Sequence, residues 1–294
     1  MEEQFSSRGY LHENFLLFHL KDNQGERFEY HYHDFCKIIV FVAGKVSYLV
    51  EGTAYQLKPW DILLITGRDI HMPVIDPDTI YERYVIWFKP EFLLTHSDME
   101  RELFQCFESA STQRQNLIRP QPEEVNYLKQ LLSGWQAERE KTLFGSVITQ
   151  NALFILLIVY LNRLFLHQEA TGYSDDIQYD GTISKIIGYI QENLAGELTI
   201  EELAARFYIS KYSLMHKFKK QTGYSVHNFI LRKRLAAAND LIKKGVPFMV
   251  ASSDCGFEDY SCFVRAFTRY FGLSPRKYYQ PLPKSERESI LRNK

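Results

Sequence analysis

The sequence predicts an α+β multidomain chain, with a β-rich N-terminal domain, a helical extension and an all-α C-terminal domain. Three observations predict it. Short β-branched and aromatic runs separated by turn residues occupy residues 10 to about 90. Apolar residues at spacings of three and four take over near Glu91. Charge is also divided unevenly: Gly181 to Lys294 holds 19 Lys+Arg and 10 Asp+Glu, and the remaining 180 residues hold 16 and 26. A length of 294 residues, 45% hydrophobic and 24% charged, is enough for two cores and excludes a disordered chain.

Four runs read as strands: Lys37 to Val42, Lys45 to Val50, Asp61 to Ile65 and Tyr81 to Phe88. Ala43-Gly44, Glu51-Gly52-Thr53, Lys58-Pro59 and Gly67-Arg68-Asp69 supply the turns between them. Several short strands at such spacing predict a sandwich or small barrel over residues 1–90, which includes an N-terminal arm of residues 1 to about 20 whose Phe5, Tyr10, Phe15 and Phe18 are expected to fold over the barrel mouth as a moving part. Residues 91–167 read as helical, because Val125, Leu128, Leu131, Leu132 and Trp135 recur at helical spacing. Ser146 to Leu166 is apolar most of the way round, which suits a core helix or a helix shared with a second subunit. Residues 168–182 are polar and aperiodic and read as a linker.

From residue 183 to about 280 the pattern is helical throughout. Ile183, Ile186, Ile187 and Ile190 mark one helix, and Thr199-Ile-Glu-Glu202 has the layout of a capping box. Ser210 and Asp259 read as N-caps, Gly223 and Gly272 as stops, and Pro247 and Pro275 as helix starts. Residues 281–294 form a polar tail.

Two of these helices carry a chemistry of their own. After Ser210, Leu214 and Phe218 lie four apart and point inward, so Tyr212, Met215, His216 and Lys219 point outward. After Asp259, Phe263 and Phe267 form the inner pair, and Tyr260, Ser261, Val264, Arg265 and Arg269 project elsewhere. A helix that presents aromatic, polar and basic side chains suits the DNA major groove, and Arg265 can fork to guanine or phosphate. The two caps are 49 residues apart with a long helix between them. About 20 helical residues span roughly 30 Å, close to one turn of B-DNA, so one rigid helix can serve two successive grooves.

These stretches resemble the DNA-binding domain of the AraC family of transcription regulators. The resemblance is carried by Leu198 to Ala204, Ser210 with Leu214, Phe218 to Gly223, Arg232 with Arg234, Gly256-Phe257, Phe263 to Phe267, and Phe271 to Pro275 with Tyr278. It implies groove-facing positions at Tyr212, Ser213, Met215 and His216 in the first reading helix. In the second it implies Tyr260, Ser261, Cys262 and Arg265. Cys262 stands where the family usually has tyrosine, Thr268 where lysine is common and Tyr279 where arginine is common. The last two departures remove expected phosphate donors and predict a shallower salt dependence from this half.

The N-terminal region resembles the cupin-like effector domain found in that family, through His31-Tyr-His33-Asp34, Phe41 to Gly44, Gln56 to Pro59, Asp61 to Ile65 and Ile70 to Pro73. Trp60 replaces the glycine usual before Asp61, so that turn must differ or Trp60 must project outward. His31 and His33 share one strand face, and His71 begins another segment. Three imidazoles can hold a metal, but Lys37 occupies the region where a metal-binding cupin carries glutamate, and its ammonium would repel a cation. The expectation is therefore no metal and no cofactor. An organic effector, most readily a sugar or sugar derivative, would be held by His31, His33, Lys37, Tyr48, His71 and Trp87.

The chain is expected to act as an effector-controlled activator on double-stranded DNA, as a cytoplasmic homodimer that works with RNA polymerase and not as an enzyme. The rivals are a metal-binding cupin enzyme fused to a DNA-binding module, a ligand-free dimerisation barrel, and a redox switch at Cys36. Four scattered cysteines without a CxxC pair predict neither a disulfide framework nor a zinc knuckle. The N-terminus lacks the basic-then-apolar layout of a signal segment. The longest apolar run, Ala152 to Leu161, is short of the roughly 20 residues a membrane span needs.

Overall fold

The computed structural model describes residues 11, 13–22, 35–67, 69–94, 100–171, 177–178 and 181–280. Contacts divide the chain into two units, one of residues 1–189 with 200–226 and one of residues 190–199 with 227–294.

In the first unit the strands are β1 (Phe15–Asp22), β2 (Cys36–Ala43), β3 (Val46–Val50), β4 (Thr53–Gln56), β5 (Ile62–Ile65), β6 (His71–Ile75) and β7 (Tyr81–Phe88). The chain continues through α1 (Pro90–Leu94), α2 (Glu100–Gln113), β8 (Leu117–Ile118), α3 (Pro122–Arg139), α4 (Ser146–Thr171) and β9 (Ile177–Gln178). One sheet has the order β1-β7-β2-β5-β8 and the other β6-β3-β4-β9, with every pairing antiparallel.

Side-chain alternation gives the first sheet two apolar faces. Cys36, Ile38, Val40, Ile62, Leu64, Ile86 and Phe88 pack against α1 to α4, around Phe107, Trp135, Phe154 and Leu161. Ile39, Phe41, Leu63 and Ile65 face the other way, into a second cluster with Tyr48, Val50 and Tyr55 of the second sheet. The four expected strands correspond to β2, β3, β5 and β7, and β1, β4 and β6 join them. Phe15 and Phe18, read as part of a movable arm, belong to the edge strand β1. Phe15 stacks on Phe154 at 4.6 Å, and Phe18 meets Trp87 edge-on at 4.8 Å. Phe5 and Tyr10 lie outside the described residues.

Trp60 keeps the left-handed backbone that a glycine would supply, with φ 74°, and Lys129 covers its ring at 4.5 Å. The β5 start is held by Arg119, whose Nε and Nη2 donate to the two carboxylate oxygens of buried Asp61 at 2.9 and 2.8 Å. The stretch 168–182 is more than a connector: α4 runs to Thr171 and β9 pairs with β4 before the next helix begins at Gly181. Likewise β8 interrupts the region read as helical and pairs with β5. By length and composition α4 is apolar enough to cross a membrane, more than its longest uninterrupted run suggests. Phe154, Leu157, Ile158, Leu161 and Phe165 on that helix pack into the core against the first sheet.

The remaining helices of this unit are α5 (Gly181–Glu192), α6 (Ile200–Arg206) and α7 (Lys211–Thr222). Ile183, Ile186, Ile187, Leu203, Leu214 and Phe218 are fully buried among them. Arg206 lies over the Tyr189 ring at 4.2 Å, and Lys211 pairs with Glu201 at 2.5 Å. That pairing holds the Glu201 carboxyl below its ordinary range.

The second unit holds most of α8 (Val226–Lys243), then α9 (Phe248–Asp254), α10 (Tyr260–Phe271) and α11 (Pro275–Tyr278). Its core is an aromatic stack, with Phe267 4.1 Å from Phe271, 5.3 Å from Tyr278 and 5.5 Å from Phe263. Arg234 donates from Nε to the Leu194 carbonyl at 2.9 Å and from Nη2 to the Gly196 carbonyl at 2.7 Å. Gly256, at φ 83°, brings its backbone against Leu194 and Arg234 where a side chain would clash. Tyr279, expected as a lost phosphate donor, has a structural partner: its hydroxyl hydrogen-bonds the fully buried Asn239.

Candidate DNA-reading helices and effector-facing residues

The first candidate reading helix, α7, opens at Ser210, whose extended backbone frees its hydroxyl to accept from Ser213 N–H at 3.1 Å. It closes at Gly223 with φ 79°, where the glycine N–H donates to the Lys219 carbonyl at 2.8 Å. Leu214 and Phe218 are fully buried, and their spacing fixes which residues face outward. Tyr212 is 77% exposed and Met215 45%, with His216 and Lys219 also exposed and Ser213 half-buried. The Tyr212 and His216 rings stack at 6.2 Å, so the outward face is an ordered strip one turn long.

The second, α10, repeats this construction inside its own unit. Asp259 accepts at Oδ1 from Cys262 N–H at 2.7 Å, and Gly272, at φ 77°, donates to the Thr268 carbonyl at 2.9 Å. Hydrogen bonds from Cys262, side chain first and then backbone, hold the Asp259 carboxyl below its ordinary range. Phe263 and Phe267 are buried; Ser261, Arg265 and Arg269 are exposed; Tyr260 and Cys262 are half-buried. Arg265 Nη2 lies 3.1 Å from Cys262 Sγ, so the small thiol that stands in place of tyrosine leaves room for the guanidinium across the first turn. Thr268 returns its hydroxyl to the Val264 carbonyl at 2.7 Å.

The residues expected to face an effector lie on strands of both sheets: Lys37 on β2 and Trp87 on β7 of the first, Tyr48 on β3 and His71 on β6 of the second. Lys37 is paired in register with Trp87 and Ile65, is buried, and carries its ammonium 5.6 Å from the Trp87 ring centroid. Tyr48 is buried on β3, 6.3 Å from the His71 ring and nearly parallel to it. His71 Nδ1 is 2.8 Å from the Asp69 carbonyl oxygen, which only accepts, so Nδ1 carries a proton and donates it there. The register of β2 with β5 places Lys37 beside Ile65, six residues before His71, so the contacts form two pairs, Lys37 with Trp87 and Tyr48 with His71. His31 and His33 lie outside the described residues.

Sequence reading missed Arg83. It is 3% exposed, pairs with Asp22 at 2.5 Å and lies 4.0 Å over the Tyr81 ring. Its signal was present: Tyr81, Arg83, Val85 and Trp87 alternate along β7 and share the face of Lys37. The redox proposal for Cys36 fails on the same alternation, because Cys36 points into the cluster beneath the helices, away from Lys37. Burial pushes the Cys106 thiol up to about 12 and Cys255 up to about 11, which leaves both thiols inert.

Two family descriptions match the chain: an AraC-like ligand binding domain over residues 16–138 and a helix-turn-helix domain over residues 203–280. The HTH-type transcriptional activator RhaS of Klebsiella pneumoniae (strain 342) is 24% identical over 267 residues, covering 86% of this chain and 88% of its own. The HTH-type transcriptional activator RhaR of Yersinia pseudotuberculosis serotype O:1b (strain IP 31758) is 23% identical over 257 residues, covering 87% and 86%. Among solved structures, ToxT from Vibrio cholerae is 15% identical over 90% of this chain and 98% of its own, at a TM-score of 0.36. The matched families together span more than half of the chain and coincide with the two-sheet domain and the capped helices, so the chain belongs to the AraC family: it is a DNA-binding transcription regulator with a ligand-binding domain, and not an enzyme.

Proposed function

We propose that this protein is a sequence-specific transcription activator that reads double-stranded DNA with α7 and α10 and is controlled by a small sugar-like effector held between the sheets. The carrying observation is the repeated construction of the two helices: each has a side-chain cap, an inward apolar pair, a left-handed glycine stop and an outward polar or basic strip. Arg265 and His216 carry most of the base discrimination, Arg269 and Lys219 contact phosphates, and Met215 and Tyr260 favour thymine methyls or the sugar-phosphate wall. Ser213, with its amide committed to the cap, and Ser261 and Cys262 line the same strips.

Lys37, beside the Trp87 face, suits an effector with hydroxyls and one anionic group, such as a sugar acid or sugar phosphate. Thermal unfolding of the full chain against sugars, sugar acids and sugar phosphates tests this. A ligand at about 100 times its Kd adds about 2.7 kcal/mol, a midpoint rise of several degrees. The rise should vanish in Lys37→Ala; a rise that survives would move the site elsewhere. The full chain is needed because β9 completes the second sheet.

The protein works as a cytoplasmic homodimer and recruits RNA polymerase. Leu143, Phe144, Val147 and Ile148 are 67 to 106% exposed at the start of α4, an apolar patch suited to a second copy. Phe144→Glu with Ile148→Glu should halve the mass in sedimentation equilibrium, and an unchanged mass would rule this face out. Transcription in vitro from a promoter bearing a selected site should rise on adding the protein and the effector together. A fall would make it a repressor.

A further inference from the structure

The hairpin between β3 and β4 turns through Glu51 and Gly52, with φ 49° and 78° and Val50 paired to Thr53. Both positive angles belong to a tight two-residue turn, which normally points into solvent. Here it is buried within the first unit. Gln221 Nε2 at the end of α7 donates to the Gly52 carbonyl at 2.5 Å and lies 3.4 Å from Ser184 Oγ of α5. A Cβ at Gly52 would lie 2.3 Å from Ile187 Cδ1 of α5 and displace that side chain, and its φ of 78° also favours glycine. A second tie runs beside it: Arg114, with φ 57°, donates from Nη1 to the Ser184 carbonyl at 2.6 Å. The Arg114 carbonyl in turn accepts from the Tyr55 hydroxyl at 2.9 Å.

The other side of the turn reaches the effector-facing residues. Glu51 N–H donates to the Ile70 carbonyl at 2.8 Å, and the Glu51 carboxylate accepts from Ile70 N–H at 2.5 Å. Ile70 is the residue before His71. The chain of contacts from His71 to α7 is therefore one peptide unit, one carboxylate residue, one glycine carbonyl and one glutamine amide. Gln221 lies on the packed side of α7, opposite Tyr212, Met215 and His216, so docking leaves the reading strip open.

We propose that the Glu51–Gly52 turn is a latch that fixes the orientation of α7 and transmits to it any change at His71. Gln221 and Glu51 are positioning residues: neither touches DNA or effector. The proposal rests on α7 being a DNA reader for its consequence, and on the described contacts alone for its existence.

Two measurements on the full chain separate these. The first is amide hydrogen exchange without DNA or effector. Gln221→Ala removes the donor at one end of the latch, and the Ile70 amide at the other end should then exchange about threefold to tenfold faster, the equilibrium weight of one hydrogen bond. Glu51→Ala should accelerate the amides of the last turn of α7 by a like factor, which keeps the test open if either variant folds poorly. Exchange that changes only beside the substituted residue would overturn the latch. The second is affinity for a duplex selected from a random pool by the wild-type chain. Gln221→Ala should weaken it by about threefold or more. Equal affinity would overturn the link from turn to reading helix. A null effect of His216→Ala on the same duplex would instead sink the assignment of α7 as a DNA reader and leave the exchange result standing.

Discussion

α7 and α10 are built to one plan and differ in what surrounds the plan. Both have twelve residues, both start at an extended capping residue and both stop at a glycine near φ 78°. The α7 core pair, Leu214 and Phe218, includes an aliphatic residue. The α10 pair, Phe263 and Phe267, is wholly aromatic and continues into Phe271 and Tyr278. Outside, α7 shows tyrosine, methionine, histidine and lysine, whereas α10 shows two arginines, one of them laid across a thiol. Local backbone geometry is thus shared while core chemistry and surface chemistry vary independently. This is expected when capping depends on the first and last turns, and packing and recognition depend on opposite faces.

The largest expected effect tests the cores. Phe267→Ala removes a ring packed edge-on or tilted against Phe263, Phe271 and Tyr278 and should cost about 3–5 kcal/mol, whereas Leu214→Ala should cost about 2–4 kcal/mol. Urea unfolding of the two variants compares them directly; equal losses would mean that the aromatic stack adds nothing beyond buried area. Next comes the surface. Arg265→Ala should cost about 1–3 kcal/mol and relax selection at one base position. Lys219→Ala should weaken all sequences alike and lower the salt slope by about one. Uniform weakening by Arg265→Ala in a binding titration would reassign it to phosphate.

The caps come third: Ser210→Ala should lower stability by about 1 kcal/mol and Asp259→Ala should lower it as well, both read from the same urea transitions. The smallest effect separates the caps by pH. The Asp259 carboxyl is depressed in the folded chain, so its contribution is complete above its unfolded value, near 3.8, and is lost as pH falls through the lower folded value. The Ser210 hydroxyl does not titrate there. Amide shifts should therefore move at Cys262 and stay fixed at Ser213 on acidification, and Asp259→Asn should hold both fixed. A cap at Cys262 that persists once the carboxyl is protonated would show that the carboxylate charge contributes little.

The C-terminal helices were the most legible part of the chain. Ser210, Asp259, Gly223 and Gly272 act within four residues of themselves, and Leu214, Phe218, Phe263 and Phe267 follow the helical period, so each could be read without knowing its neighbours. Lys37 was legible as an oddity, a cation opening an apolar strand. Arg83 was overlooked because Tyr81 to Phe88 was read as a run and its alternation was not used. β1 was taken for an arm because an edge strand with one neighbour carries a weak signal, and its register with β7 is not written in its own residues.

By itself the sequence determined the order of β and α regions, the two capped helices with their outward strips, and the family to which they belong. These depend on local backbone preferences and on periodicities of two and 3.6 residues. Only the tertiary structure decided that β9 would complete the second sheet, that Trp60 would keep a glycine-like turn under Lys129, and that Gln221 would meet Gly52 across 169 positions of chain. Those pairings join surfaces distant in sequence. They form where closing a long loop is offset by the burial and hydrogen bonds it brings together, a balance that no single segment carries.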